Sequence, residues 1–340
     1  MSSRVLVTGG AGFIGSHLVD QLVDQKHCVT VLDDFSVGFE SNLSDAKLLG
    51  DVRIVCGSVT DPEAVAAAYQ GCDIVYHLAT QCVRRSLTRP VESHDVNATG
   101  TIILLEEARR RGVRRFVYCS SSEVYGNASA DRLLEDSTIC CPMTAYGASK
   151  LAGELYTEAY LRTYHLPTTV VRPFNAYGPR AYQKGVRAEV LPRFVGRVLN
   201  GCSPIIFGDG TNARDFTYVS EVARGIILAG TTDSVIGHRV NIARGEPVSV
   251  NELARQVLAA LSRNDLTVEY RHGRPGDVAY LHADTSKANR MLRYFAEINL
   301  NEGVRKYIEW VRVTYPDPAE LLEDKIENWV LGNDANDSHS

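Results

Sequence analysis

Tyr146 and Lys150 stand four residues apart in Ala145-Tyr146-Gly147-Ala148-Ser149-Lys150, at the head of a run that continues Leu151-Ala152-Gly153-Glu154-Leu155. On a helix the two side chains share one face. A phenol is a poor base near neutral pH, with an unperturbed pKa of roughly 10. An ammonium beside it favours the phenolate, so the pair is suited to taking and returning the proton of a hydroxyl. Upstream, Ser120-Ser121-Ser122-Glu123 adds hydroxyls and a carboxylate. Ser121 could hold the hydroxyl that Tyr146 deprotonates, and Glu123 is the next candidate for the base. A lone Tyr-x-x-x-Lys is usually an ordinary surface pair, and loop serines commonly cap backbone groups. The chemistry therefore depends on what the rest of the chain builds around these residues.

Before them comes a cofactor site. Arg4-Val5-Leu6-Val7-Thr8 is a short apolar run that ends in Gly9-Gly10-Ala11-Gly12-Phe13-Ile14-Gly15. A helix is predicted over 16–26, then a second strand over 28–32 closed by Asp33. Strand, glycine turn, helix, strand and terminal acid make a dinucleotide-binding βαβ unit. The glycines let the backbone approach a pyrophosphate, and the helix N-terminus supplies N–H donors and a positive dipole end. Asp33 would accept hydrogen bonds from an adenosine ribose and repel a 2′-phosphate, which predicts NAD rather than NADP.

The alternation continues with strands at 52–56, 73–79, 115–119 and 168–172, separated by helices opening at Asp61-Pro62, over 91–111 and at Tyr146. This pattern predicts an α/β fold with a doubly wound parallel (Rossmann) sheet. Ligands then bind beyond the carboxyl ends of the strands. That rim carries Gly9, Gly12, Gly15, Asp33, Ala79-Thr80, the 120–123 stretch and Pro173-Phe174-Asn175. After Asn175 the alternation breaks into a predicted helix over 190–199 and short strands at 204–207 and 215–219, which predicts a smaller mixed α/β substrate lobe. The expected division is 1–175 for the cofactor, with 209–240 returning to it, 176–331 mainly for the substrate, and a disordered tail over 332–340. Arg214 and Arg274 suit a diphosphate, because a guanidinium fork donates two parallel hydrogen bonds.

Composition bounds the partners. The chain has 340 residues, 44% hydrophobic and 23% charged, with a net charge of −5. That is ordinary for a globular protein with a core and predicts neither nucleic acid nor an anionic membrane as partner. No apolar run approaches the roughly 20 residues of a membrane span. Met1-Ser2-Ser3-Arg4 leads directly into a strand, which predicts no signal peptide and a cytoplasmic location. The eight cysteines are scattered, with no C-x-x-C pair and no metal-ligand spacing, so free thiols and no metal are expected.

Thr8-Gly9-Gly10-Ala11-Gly12-Phe13-Ile14-Gly15-Ser16-His17, His77-Leu78-Ala79, the serine run before Val124-Tyr125-Gly126, Tyr146-Gly147-Ala148-Ser149-Lys150 and Arg172-Pro173-Phe174-Asn175 occur in that order. Together, over about 4–313, they resemble the extended short-chain dehydrogenase/reductase family in its nucleotide-sugar epimerase/dehydratase branch. The resemblance implies a tightly held NAD used transiently. Tyrosine removes the proton of a sugar 4-hydroxyl, hydride leaves C4, and the 4-ketose is processed and re-reduced. It implies Tyr146 as base, Lys150 as its electrostatic partner and ribose ligand, and Ser121 as hydroxyl anchor. It sets Gly9, Gly12, Phe13, Ile14, Gly15, Asp33, Ser58, Val59, Leu78, Ala79, Thr80, Asn97 and Pro173 along the cofactor. Toward a UDP-sugar it sets Ser121, Ser122 and Glu189, with Asn175, Arg214 and Arg274 at the diphosphate, Val190 and Phe207 at the uracil and Asp277 at the ribose. Arg84, Arg85 and Arg187 keep a hexuronate substrate open, since any of them could meet a 6-carboxylate. The helices over 91–111 and 146–164 imply a homodimer through a four-helix bundle.

The resemblance also separates reactions. The family's 4,6-dehydratases place an aspartic acid before the glutamate; here that neighbour is Ser122, a far weaker acid. UDP-glucuronate decarboxylases share the hydroxyl, serine, glutamate order, but Gly185-Val186-Arg187-Ala188-Glu189-Val190-Leu191-Pro192 is more similar to the loop of 4-epimerases. The expected function is a UDP-sugar 4-epimerase for a hexose or hexuronate. A decarboxylase or dehydratase is the alternative enzyme, and a non-catalytic dinucleotide-binding sensor is the alternative outside enzymes.

Overall fold

Short apolar runs become the strands of one buried sheet: β1 (Arg4–Thr8), β2 (Cys28–Asp33), β3 (Val52–Cys56), β4 (Ile74–His77), β5 (Arg115–Cys119) and β6 (Thr168–Pro173). Four short strands follow, β7 (Ala176–Tyr177), β8 (Ile205–Phe207), β9 (Ala213–Asp215) and β10 (Thr217–Tyr218), and then β11 (Arg239–Ile242) rejoins the main sheet. The spatial order is β3-β2-β1-β4-β5-β6-β11, with every neighbouring pair parallel. The fold is therefore the doubly wound parallel sheet expected from the sequence. This computed structural model describes residues 2–128, 130–273, 278–322 and 326. The tail over 332–340 lies outside them, as do Arg274 and Asp277.

Helices cover both faces: α1 (Phe13–Asp24), α2 (Ser44–Leu49), α3 (Pro62–Ala68), α4 (Val83–Thr88), α5 (Pro90–His94), α6 (Gly100–Arg111) and α7 (Ala145–Tyr164), with α8 (Val190–Leu199), α9 (Val219–Thr231) and α10 (Val250–Ala260) beyond. Alternation along β1 shows how the layers form. Val5 and Val7 face one core with Leu18 and Val19 of α1 and Val222 and Ile226 of α9. Leu6 faces the other, with Leu104 and Leu105 of α6 and Phe116 and Tyr118 of β5. A third core joins Leu191, Phe194 and Val198 of α8 to Leu253 and Val257 of α10. Each fully buried Leu or Phe contributes about 1.5–3 kcal/mol relative to leaving it in water.

Two boundaries differ from expectation. α1 begins at Phe13 rather than near residue 16, because Gly12 already serves as its N-cap. The single helix expected over 91–111 is α5, one π-turn over Asp95–Thr99, and α6. The wide turn carries the buried Asn97. Among the described residues no helix is long and apolar enough to cross a membrane, and no cluster of His, Cys, Asp or Glu could hold a metal ion.

Candidate active site

The reversal of strand order between β1 and β4 opens a crevice at their carboxyl ends. Its floor is the glycine turn. Gly9 adopts φ +68°, and a Cβ there would stand 2.8 Å from the backbone of Ala79. A Cβ on Gly15 would lie 2.1 Å from the Gly9 carbonyl. Both positions require glycine for turn and helix to meet. The N-terminus of α1 has no side-chain cap and no acid in its first turn, so its N–H donors stay open to an anion. Asp33 is nearly buried; its Oδ2 accepts from Ala11 N–H at 2.9 Å and its Oδ1 from Phe35 N–H at 2.9 Å. Each carboxylate oxygen has a second lone pair for a ribose hydroxyl. A bare helix start, a cradle that side chains would fill and an acid at the end of β2 fit a dinucleotide without a 2′-phosphate.

A polar chain fixes the opposite wall. Thr8 Oγ1 accepts from the N–H groups of Leu78 and Ala79, both at 3.2 Å, and is bonded to His77 Nδ1 at 2.8 Å. His77 Nε2 meets Thr101 Oγ1 at 2.9 Å, and Thr101 donates to the Asn97 carbonyl at 2.7 Å. Burial pushes the imidazole pKa well below its usual value, so a neutral ring joins β1, β4 and α6. Asn97, expected at the cofactor, lies beneath the wall rather than on it. Its Oδ1 accepts from Thr80 Oγ1 and Gln81 N–H, both at 2.9 Å, and its Nδ2 donates to Ser149 Oγ at 3.1 Å. It ties the β4 exit to the residue preceding Lys150.

α7 positions the acid/base group. Thr144 caps it by accepting from Gly147 N–H at 3.1 Å. Tyr146 is hydrogen-bonded to Ser121, whose Oγ also accepts from Glu123 N–H at 3.2 Å. Burial raises the Tyr146 pKa, and the Ser121 hydroxyl pulls it partly back. The Lys150 ammonium lies 4.7 Å from the Tyr118 ring centroid, over its face. Burial lowers the Lys150 pKa to about 8.

These groups line one cavity of about 460 Å³ running from the glycine turn to the second lobe. Gly9, Gly12, Phe13, Ile14, Gly15, Asp33, Ser58, Val59, Leu78, Ala79, Thr80, Lys150 and Pro173 line it, together with Ser121, Ser122, Glu123 and Tyr146. Asn175, Glu189, Val190, Phe207 and Arg214 line it as well. Arg84 faces its mouth and grips Glu189 through two bonds at 3.1 and 3.0 Å. Arg85 pairs with Glu92 on the neighbouring helix instead. Arg187, expected at the sugar, lines the same cavity and donates to the Ser36 carbonyl at 3.0 Å. The sequence reading missed Gln81 and Tyr182 and set Ser120 on the rim without a role; all three lie on the cavity wall. Gln81 Oε1, Ser120 Oγ and Asn175 Oδ1 are buried with no hydrogen-bond partner in the described structure, which marks them as atoms awaiting a ligand. Gln81 adjoins the rim stretch 79–80, the one signal that could have found it.

Comparison with known proteins agrees with this geometry. The model of the NAD dependent epimerase/dehydratase family matches residues 5–243. This chain belongs to that family. The epimerase/dehydratase is 36% identical over 313 residues to the UDP-glucose 4-epimerase of Mycolicibacterium smegmatis, covering 91% of this chain and 98% of the relative. It is 31% identical over 323 residues to the UDP-N-acetyl-alpha-D-glucosaminuronate decarboxylase of Bacillus cytotoxicus, covering 92% and 98%. The crystal structure of UDP-glucuronic acid 4-epimerase from Bacillus cereus, in complex with UDP-glucuronic acid and NAD, superposes with a TM-score of 0.85 at 29% identity, covering 92% of this chain and all of that one. The epimerase/dehydratase is thus an enzyme whose cofactor is NAD.

Proposed function

We propose that this enzyme is a UDP-sugar 4-epimerase whose preferred substrate is a neutral UDP-hexose. The observation that carries the reading is the pairing of Tyr146 with Ser121 on the cavity wall, beside a Glu123 whose neighbour Ser122 is no acid. In this reading Ser121 holds the sugar 4-hydroxyl and Tyr146 removes its proton. NAD, when bound, supplies the hydride acceptor at C4. Lys150, with its charge retained near neutral pH, favours the phenolate once the cleft is filled. Tyr146 later returns the proton to the 4-oxygen, so the NAD is recycled. Dehydration would need an acid to protonate a departing 6-hydroxyl, and Ser122 is a poor one. Asn175 and Arg214 are assigned to the diphosphate and Val190 and Phe207 to the uracil, an assignment supported by their lining the same cavity as Tyr146.

The neutral sugar is favoured by the arginines. Arg84 meets Glu189, Arg85 meets Glu92 and Arg187 meets a backbone carbonyl. At Arg84 and Arg85 a hexuronate carboxylate would have to compete with a glutamate already in place. Turnover of UDP-glucose, UDP-glucuronate and their N-acetyl analogues, compared by kcat/KM, tests this. The neutral hexose should lead. Release of carbon dioxide from UDP-glucuronate as the fastest reaction would instead establish the decarboxylase reading. We also infer a homodimer, supported by the exposed apolar side chains Val91, Leu155 and Tyr164 on α5 and α7.

A further inference from the structure

The segment from Pro179 to Glu189 belongs to the second lobe in sequence, yet it is fastened to the cofactor half at four points. His17 Nε2 of α1 is hydrogen-bonded to the Pro179 carbonyl at 2.9 Å. Arg180 Nη1 meets Asp20 Oδ2, one turn further along α1, at 2.6 Å. Arg187 Nη2 donates to the Ser36 carbonyl at 3.0 Å, in the loop that leaves β2 just after Asp33. Glu189 is held by Arg84 of α4 at 3.0 Å. The segment thus crosses the mouth of the dinucleotide crevice from α1 to α4.

Two of the side chains it brings to the crevice matter for the cofactor. Tyr182 and Arg187 line the same cavity as Gly12, Asp33 and Ser36. The Tyr182 hydroxyl stands 4.0 Å from where a Cβ on Gly12 would be, directly over the N-terminus of α1. The Arg187 guanidinium lies 5.9 Å from the Tyr182 ring centroid, within the range of a cation–π contact. Its Nε is buried and has no hydrogen-bond partner in the described structure. A buried, unspent guanidinium donor and a phenol above an uncapped helix start are groups that bind a diphosphate.

We propose that Tyr182 and Arg187, carried by the substrate lobe, are part of the NAD site and strap the dinucleotide into its crevice. Arg187 is then a cofactor residue rather than a ligand for a sugar carboxylate. Escape of NAD requires the Arg187–Ser36 bond to open, so cofactor retention depends on a segment outside the βαβ unit.

The test reads NAD itself and needs no sugar turnover, so it can fail independently of the proposed reaction. Wild type, Arg187→Ala, Arg187→Lys and Tyr182→Phe are prepared as full chains and loaded with NAD. Bound NAD after gel filtration and its release rate into excess unlabelled NAD are then measured. Removal of a charge-assisted hydrogen bond should speed release by about tenfold or more in Arg187→Ala, with a smaller increase in Tyr182→Phe. Arg187→Lys, which keeps the charge but not the fork, should fall between wild type and alanine. Folding is checked by melting each variant at saturating NAD. Release rates within about twofold of wild type in both Arg187→Ala and Tyr182→Phe would overturn the proposal.

Discussion

Tyr146 enters the cavity as a neutral phenol whose pKa burial has raised and the Ser121 hydroxyl pulls partly back. Changing Tyr146→Phe keeps the packing and removes the proton carrier. Turnover should fall by about 10²–10⁴-fold while NAD content after purification stays as in wild type; unchanged turnover would move the base to Glu123. Lys150 makes a second prediction. Burial lowers its pKa from 10.5 to about 8. Between those values the unfolded chain binds a proton that the folded chain does not, so this residue adds stability as pH rises through that window. Melting of cofactor-free protein from pH 8 to 9.5 should show wild type gaining on Lys150→Met, and parallel curves would contradict the shift. At this scale the sequence was readable where chemistry is local. Asp33 and the Tyr-Lys spacing announce themselves. The direction of Arg187 was not readable, since it depends on which lobe its loop leans against, and neither was the seat of the Lys150 ammonium on Tyr118, a contact between β5 and α7.

Among the elements, α7 carries the most. It presents Tyr146 and Lys150 to the cavity, and one turn later Glu154 to β6. Arg172 Nε and Nη2 donate to Glu154 at 2.8 and 2.6 Å, and both residues are fully buried. Arg239 of β11 reaches the same carboxylate at 3.4 Å. This ion pair fixes the helix against the sheet next to the catalytic turn. Loss of one partner leaves a buried charge, so Arg172→Met should cost about 3–5 kcal/mol of stability, measured by urea unfolding. The double variant Arg172→Met, Glu154→Leu should recover much of it, and equal loss in both would show that the pair's charge is not what matters. The elements α1 and α8 were legible from their apolar spacing and flanking glycines. The π-turn at Asp95–Thr99 was not, because hydrophobic period does not register one added residue in a helical turn. β11 was missed because Arg239-Val240-Asn241-Ile242 is four residues of mixed polarity, buried by α9 and β6 rather than by its own pattern.

The whole molecule is a parallel sheet whose strand reversal makes a crevice, closed by a second lobe that returns to it. The sheet was legible because alternating strands and helices leave few ways to pack. The helix of the second lobe and its short strands near 204–207 and 215–219 were legible too; how β7 to β10 pair across long loops was not. The apolar side chains exposed on α5 and α7 predict a dimer mass in sedimentation at micromolar concentration; a sharp monomer would contradict that inference. The central claim is that hydride leaves and returns to one carbon. UDP-glucose carrying deuterium at C4, incubated with the enzyme and followed by proton and deuterium NMR, tests it directly. The account predicts UDP-galactose with the deuterium retained at an inverted C4 and no accumulation of NADH. Deuterium delivered to C6 of a 6-deoxy-4-ketose would mean dehydration, and unchanged UDP-glucose would mean that this sugar is not epimerised; either result would contradict it.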